Sequence, residues 1–506
     1  MDLFVLVVTL IFGIAFAKLY FRGVGRKPQE RTRTLPTGPP RWPIVGNLLQ
    51  LGPLPHKDFT RYCEKYGPLV YVRLGSVDAI TTNDPDIIRE ILVQQDEVFA
   101  SRPRTLAAVH LASGCGDVAL APLGLHWKRM RRICMEQLLS TKRIESFANH
   151  RVDEAKHLVQ DVLTRSKAGE VNVRQVLGAF SMNNVTRIAL GLINNGEFDD
   201  DDDDDGEDDG ESEVDIGGDS LNQFGDDETI QKEMRDVEKR MDEFHKRILE
   251  GHRKEERLSA LKESEMDFVD ILLSLPGEDG KEHLEDVEIK ALIQDMIAAA
   301  TDTSSVANEW AMAEVIKHPR VLLKIQEELD SVVGRDRMVT ESDLSHLNYL
   351  RCVVREIFRM HPAGLFLIPH ESVKATNING YYIPEKTRVF INTHALGRNS
   401  RIWDNVDEFR PERHLLEDGS RVEISHGGDF RILPFSAGKR RCPGAPLGVF
   451  FVLMGLARLF HCFDWGPPDG LKPEDIDTTE VYGMTMPKAK PLIAVAKPRL
   501  ARHLYA

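Results

Sequence analysis

Phe435-Ser436-Ala437-Gly438-Lys439-Arg440-Arg441-Cys442-Pro443-Gly444 is the stretch on which the reading of this chain turns. A cysteine follows a glycine-containing loop and precedes an apolar run of helical length, 447–460. Backbone amides at a helix start lower a thiol's pKa and stabilise the thiolate. The basic neighbours Lys439, Arg440 and Arg441 add to that effect. The other five cysteines, Cys63, Cys115, Cys134, Cys352 and Cys462, form no C-x-x-C pair, disulfide framework or zinc pattern. They read as buried free thiols in a reducing compartment. Cys442 alone reads as a metal-ligating thiolate.

Upstream of the cysteine, Glu356-Ile357-Phe358-Arg359 puts a carboxylate and a guanidinium on one helix face, three residues apart. Arg413 follows in Phe409-Arg410-Pro411-Glu412-Arg413. Trp127-Lys128-Arg129-Met130-Arg131 sets Trp127 and Arg131 one helical turn apart. The longest helical pattern spans about 286–318 and stops at Pro319; at 1.5 Å per residue it is about 50 Å long, enough to cross a large domain. Its centre, Ala298-Ala299-Ala300-Thr301-Asp302-Thr303-Ser304, is small and lets something bulky lie against the backbone.

Together these segments resemble the cytochrome P-450 family: F-x-x-G-x-R-x-C-x-G at 435–444, E-x-x-R at 356–359 and W-x-x-x-R at 127–131. The likeness runs from the proline-rich segment near residue 35 to about residue 488. It implies a haem b whose iron is held by the Cys442 thiolate, the kind of axial ligand that favours O–O cleavage. Phe435, Gly438 and Gly444 would shape the loop, Phe435 against the ring's face and the glycines by letting the loop approach it. Trp127, Arg131 and Arg440 would reach haem propionates. His370 stands where many plant members carry a further propionate-binding arginine; a histidine can donate there but brings charge only when protonated. Glu356, Arg359 and Arg413 would form a structural triad that locks the cysteine-bearing loop. Thr303 would hydrogen-bond iron-bound dioxygen and Asp302 would help relay protons. Ala300 replaces the usual glycine of that motif and tightens the groove. Thr303 and Asp302 argue against the peroxide-rearranging haem-thiolate enzymes.

The most specific likeness is to the plant branch that hydroxylates medium-chain fatty acids in-chain during pollen-wall (sporopollenin) synthesis. Residues 105–112, 422–427 and 481–486 carry it. It implies O2, electrons from NADPH through a membrane reductase, and a substrate pocket drawn from 106–118, 301–304, 363–368 and 482–486. Arg102, Arg104 and His110 are candidate anchors for a substrate carboxylate. Lys128, Arg129, Arg132, Lys439, Arg440 and Arg441 would form a basic face for an acidic reductase.

The expected fold is mainly α with small β-sheets, the cytochrome P-450 fold, over a catalytic domain at 47–506. Strand-like runs are few, at 69–73, 79–82, 380–383 and 388–392. Residues 1–21 are apolar enough for a membrane anchor. Ala15-Phe16-Ala17 also fits a signal-peptide cleavage site. The basic residues, however, follow the apolar run instead of preceding it, which places the body on the cytosolic side of the endoplasmic reticulum membrane as a single-pass protein. A basic, proline-rich hinge occupies 22–46.

Residues 195–229 depart from the resemblance. Between Glu197 and Glu228 stand 18 acidic residues and no basic one, which outweighs the whole chain's formal charge of −15. The remainder is near neutral, and no basic stripe with interleaved aromatics points to nucleic acid. So acidic a segment buries too little apolar surface to order itself. It is expected as a disordered insert where the family has two helices that roof the substrate pocket. A mis-assembled coding sequence and a divergent allele both account for it. It also opens an alternative function: a haem-binding protein that turns over poorly, because its roof is replaced.

Overall fold

The computed structural model describes residues 34–191, 227–254, 257, 266–277, 283–418, 423–425 and 428–505. The expected anchor at 1–21, most of the 22–46 hinge and most of the acidic segment lie outside them.

Among the described residues, nine strands form three small sheets. β1 (Leu69–Leu74) and β2 (Val77–Thr82) are an antiparallel hairpin. β2 continues into β7 (Arg388–Ile391) in parallel, and β7 pairs antiparallel with β4 (His370–Glu371), giving the order β1-β2-β7-β4. β3 (Val171–Asn172), β8 (Phe463–Gly466) and β9 (Ile493–Pro498) make a second sheet, and β5 (Thr376–Ile378) with β6 (Tyr381–Ile383) a third. Four runs read as strands in the sequence are strands here. β3, β4 and β5 are two or three residues long and β8 follows directly on a helix, so alternation gives little signal there, while the six-residue β9 is a strand that the sequence reading does not include.

The helices used below are α1 (Pro55–Tyr66), α2 (Leu106–Leu111), α3 (Leu125–Ile133), α4 (Ala148–Ser166), α5 (Val173–Leu190), α6 (Asp227–His252), α7 (Phe268–Ser274), α8 (Asp286–Lys317), α9 (Pro319–Val332), α10 (Asn348–Met360) and α11 (Ala445–Cys462). α8 is the long helix foreseen. The Glu288 side chain accepts the Glu285 amide at its start (3.1 Å), and Pro319 prevents its continuation. From Ser304 to Ile316 it is buried all round, packed by α5, α10 and α11 in one apolar core with α4 and α9. α11 has a mean hydropathy of 1.7, apolar enough to cross a membrane, yet 83% of it is buried. It is the spine of the core. α6 begins at Asp227, inside the end of the acidic stretch, and meets α2 through a hydrogen bond between His110 Nδ1 and Glu238 Oε2 at 2.7 Å.

Glu356, Arg359 and Arg413 meet, and His414 joins them. Glu356 Oε1 accepts from Arg359 Nη2 (2.8 Å), Arg413 Nε (3.0 Å) and the Arg410 amide (3.0 Å). Its Oε2 takes Arg359 Nε (2.9 Å) and His414 Nε2 (2.8 Å). Burial raises the carboxyl's pKa, but His414 and Arg359 override it and hold Glu356 at about 2. The part that the triad locks differs from the expectation. Arg359 donates to the carbonyls of Gly397, Val406 and Glu408, and Arg413 to those of Asp404, Asn405 and Glu408. The two guanidiniums have spent their forks on the 397–408 segment. The link to the cysteine loop is apolar: Phe358 of α10 meets Phe435 edge-on, ring centres 5.6 Å apart.

Candidate haem-thiolate site

The cysteine loop closes on a hydrogen bond from the Cys442 amide to the Phe435 carbonyl (2.9 Å). Ser436 and Gly438 both take left-handed backbone conformations, with φ of 59° and 67°. A Cβ at Gly438 would lie 1.9 Å from the Leu92 carbonyl oxygen. Its lack of a side chain therefore serves a backbone contact with the 90–94 turn, a different neighbour from the ring face expected. Lys439 extends that contact, its amide donating to Asp96 Oδ2 (3.0 Å). Phe435 lies against Gly448 at the start of α11, where a Cβ would sit 3.7 Å from its ring.

Cys442 is the one accessible cysteine of the six. Burial is nonetheless the largest influence on its thiol. The Gly444 and Ala445 amides, Arg131 and Arg441 all favour the thiolate, as the sequence suggested, but burial outweighs them and the thiol's pKa is raised. A thiolate here needs a cation at the sulfur itself, which a metal provides. The middle of α8 is open in the same way: Ala298, Ala299, Asp302 and Thr303 are accessible although the next thirteen residues are buried. Thr303 Oγ1 donates back to the Ala299 carbonyl (2.7 Å), and Asp302 accepts from the Thr485 hydroxyl. Thr485 lies in the 482–486 loop, which is held by Trp310 Nε1 on the Met486 carbonyl (2.7 Å).

On one side of the cysteine a group of buried donors collects around residues 117–121. Arg440 donates to the carbonyls of Ala100 (2.6 Å), Val118 (3.1 Å) and Ala121 (2.5 Å). Its guanidinium lies 4.1 Å from the Trp127 ring centre. Trp127 Nε1 donates to the Val118 carbonyl (3.1 Å), and Arg131 Nη2 to the Arg441 carbonyl (2.6 Å). Arg102 donates to the carbonyls of Ala119 (3.0 Å), Ile368 and Pro369 (3.0 Å). Burial and then Arg131 bring Arg440 down to about 10, and burial and then Arg440 bring Arg102 well below its usual range. Both guanidiniums donate to carbonyls, and the nearby Asp117 charge offsets their desolvation only in part. A dianionic group edge, such as a pair of carboxylates, fits them. The sequence reading set Arg102 among substrate anchors, and the structure places it here instead. The signal was weak, a single arginine before Pro103.

His370 is 2% exposed. Its Nδ1 lies 2.8 Å from the Phe99 carbonyl and must carry the proton, since a carbonyl only accepts. Burial and then Arg102 push its pKa well down, so the ring is neutral and the unpartnered Nε2 is an acceptor. The donor role foreseen for His370 is not available in this tautomer. The basic face is also smaller than expected. Arg440 is buried, Arg129 pairs with Glu288 and Lys439 with Glu97, while Lys128 and Arg132 remain exposed. A separate open cleft of about 710 Å³, lined in part by Glu314, His361, His394 and Glu480, holds none of the expected site residues.

A looped cysteine, an accessible small-residue patch on a long helix and a set of buried guanidiniums are the parts expected of a haem-thiolate protein. The cytochrome P450 family model matches residues 36–495, and this chain belongs to that family. It is 67% identical to cytochrome P450 703A2 of Arabidopsis thaliana over 487 residues, covering 94% of each chain. It is 68% identical to the protein of the same name from Oryza sativa subsp. japonica, again covering 94% of each. A solved zebra fish cytochrome P450 shares the fold at a TM-score of 0.69 and 23% identity, over 88% of this chain and all of that one. The chain is thus a P450 monooxygenase whose haem iron is held by a cysteine thiolate, working with O2 and a redox partner reductase.

Proposed function

We propose that this chain hydroxylates a C–H bond of a medium-chain fatty acid, in the synthesis of pollen-wall precursors, using O2 and NADPH-derived electrons. The support is its likeness to the two 703A2 proteins, at 67% and 68% identity, and the largely apolar segments 106–118, 363–368 and 482–486, which suit an acyl chain. Residues 1–21 anchor it in the endoplasmic reticulum membrane, with the 47–506 domain cytosolic.

The observation that carries the site is the donor set. Cys442 would hold the haem iron, and Arg440, Arg131, Arg102 and Trp127 would hold the propionate edge. When bound, the haem supplies the redox chemistry that inserts one oxygen atom into the substrate and reduces the other to water. Phe435, Gly438 and Gly444 fix the loop. Asp302 and Thr303 hold and pass protons from the accessible middle of α8, and Thr485 orients Asp302. Glu356, Arg359, Arg413 and His414 are structural.

The test is the carbon monoxide difference spectrum of the reduced, detergent-solubilised protein beside a Cys442→Ser control, followed by product analysis with C10–C14 acids. A thiolate-type band absent from the control and a mid-chain hydroxy acid are expected. A band that survives in the control would sink the ligand assignment.

The acidic segment favours a second reading, a haem protein that turns over poorly. The same assay decides it: NADPH consumed with peroxide and no hydroxy acid would replace the first reading with the second.

A further inference from the structure

We propose that Asp295 and Asp117 are a positioning pair for the haem cradle, holding residues 117–121 against α8 through one shared proton. The proposal rests on the haem reading above.

Asp295 Oδ2 accepts the Val118 amide at 2.6 Å and its carboxyl also takes the Ala119 amide. Asp117 accepts the Leu120 amide at 3.0 and 3.1 Å on its two oxygens, and the Ala121 amide as well. The two carboxyls also meet each other within hydrogen-bonding reach. Carboxylate oxygens only accept, so this contact closes only with a proton between them. The carbonyls of the same short segment hold the cations: Val118 takes Trp127 and Arg440, Ala119 takes Arg102, and Ala121 takes Arg440. Its amides thus face the acid pair and its carbonyls face the donors that await the propionates. Fixing the first fixes the second.

The charged and titratable groups around the pair are few. Arg440 faces Asp117 from the cysteine loop, and Arg102 faces it from the strand-like segment before α2. Cys115, itself touched by Arg104, lies on the Asp117 side, and Cys134 faces Asp295 from the end of α3. Burial raises Asp117 to about 6. Burial and then the Asp117 charge raise Asp295 well above the usual carboxylate range. Of the two, Asp295 is the more strongly raised, so it holds the shared proton and the charge lies towards Asp117, beside Arg440. Two unpaired buried carboxylates would repel, so losing the proton frees the segment.

The sign follows. A carboxyl whose folded pKa is raised binds more protons folded than unfolded, so its contribution falls as pH climbs from about 4 towards the folded value. Haem retention and thermal midpoint should therefore both decline as pH rises through Asp295's raised pKa. Asp295→Asn keeps an N–H to bond Asp117 and an oxygen for the Val118 amide, but has no proton to lose.

The experiment is haem transfer to apomyoglobin and thermal unfolding of the full-length, detergent-solubilised protein between pH 7 and 10, for wild type, Asp295→Asn, Asp117→Asn and Asp295→Ala. Wild type should lose haem faster with pH, by up to about tenfold per unit, the limit for one proton. Both asparagine variants should be flat, and the alanine variant fast throughout. If the alanine variant fails to fold, the asparagine pair still decides. A wild-type profile matched by either asparagine variant would overturn the proposal. If the wild type shows no thiolate-type band, the haem reading fails instead, and the thermal midpoints alone then judge the shared proton by the same comparison.

Discussion

Trp127 and Arg440 share one acceptor. The indole Nε1 and the guanidinium Nη1 both donate to the Val118 carbonyl at 3.1 Å, with the guanidinium stacked 4.1 Å from the ring centre. The stacking and the shared carbonyl orient the cation while leaving it without a carboxylate of its own. Arg440→Lys keeps the charge but not the fork or the stack. Haem affinity, read as the transfer rate to apomyoglobin, should fall by about ten- to hundredfold in Arg440→Ala, the range for losing a charge-assisted hydrogen bond. Arg440→Lys should fall between that and wild type. Equal retention in all three proteins would remove Arg440 from the propionate edge.

Glu356 makes a pH prediction of opposite sign to that of the acid pair. Its folded pKa, about 2, lies below the unfolded value of about 4.3. The stability it contributes is therefore complete above about pH 5 and lost as pH falls towards 2. Glu356→Gln leaves Arg359, Arg413 and His414 without their carboxylate. Breaking a buried pair costs about 3–5 kcal/mol. Thermal unfolding between pH 3 and 7 should show a steep acid loss in wild type and a lower, flatter profile in the variant. Parallel profiles would mean that the unfolded chain holds Glu356 equally well.

Motifs legible in the sequence were those made by near neighbours. Glu356 and Arg359 stand one turn apart, and the 435–444 loop folds back on itself, so spacing alone brings their groups together. What escaped was set by tertiary contact. His414 reaches Glu356 from a 3₁₀ turn, Arg102 reaches the carbonyls of Ile368 and Pro369, and Gly438 makes room for Leu92. No periodicity encodes such meetings. The tautomer of His370 was equally hidden, because it depends on which carbonyl faces Nδ1. The fold class was readable for the opposite reason: α8 and α11 are long runs rich in small and apolar residues, with a proline closing the first.

The exposed basic surface on α3 makes a kinetic prediction. Lys128 and Arg132 are exposed beside Leu125, which is 84% accessible, while Arg129 is held by Glu288. Steering by unpaired charges changes the association rate and is screened by salt. The double variant Lys128→Glu/Arg132→Glu should raise the reductase concentration needed for half-maximal turnover several-fold at low salt, with the difference shrinking at high salt. Arg129→Glu should instead lower the thermal midpoint, because it places a second acid against Glu288. A salt-independent defect in the double variant would place reductase docking elsewhere.

Asp302 and Thr485 give the last prediction, and it concerns coupling. Thr485 donates its hydroxyl to Asp302 from a loop that Trp310 fixes at Met486. One accessible acid on α8 is thereby given an orientation by a residue far away in sequence. Thr485→Val preserves shape and removes the donor, so the Asp302 carboxyl is free to turn while the cysteine loop is untouched. Positioned proton donors contribute about 10²–10⁴-fold to rates, and losing only the orientation of one should cost a fraction of that. The carbon monoxide difference spectrum and haem content should match wild type. Hydroxylated product per NADPH should fall several-fold, with peroxide making up the difference. Thr485→Ser, which restores the hydroxyl, should recover most of the coupling. If Thr485→Val and Thr485→Ser are equally uncoupled, the loop's packing governs the outcome and the hydroxyl does not. If both are fully coupled, Asp302 is oriented by something other than Thr485.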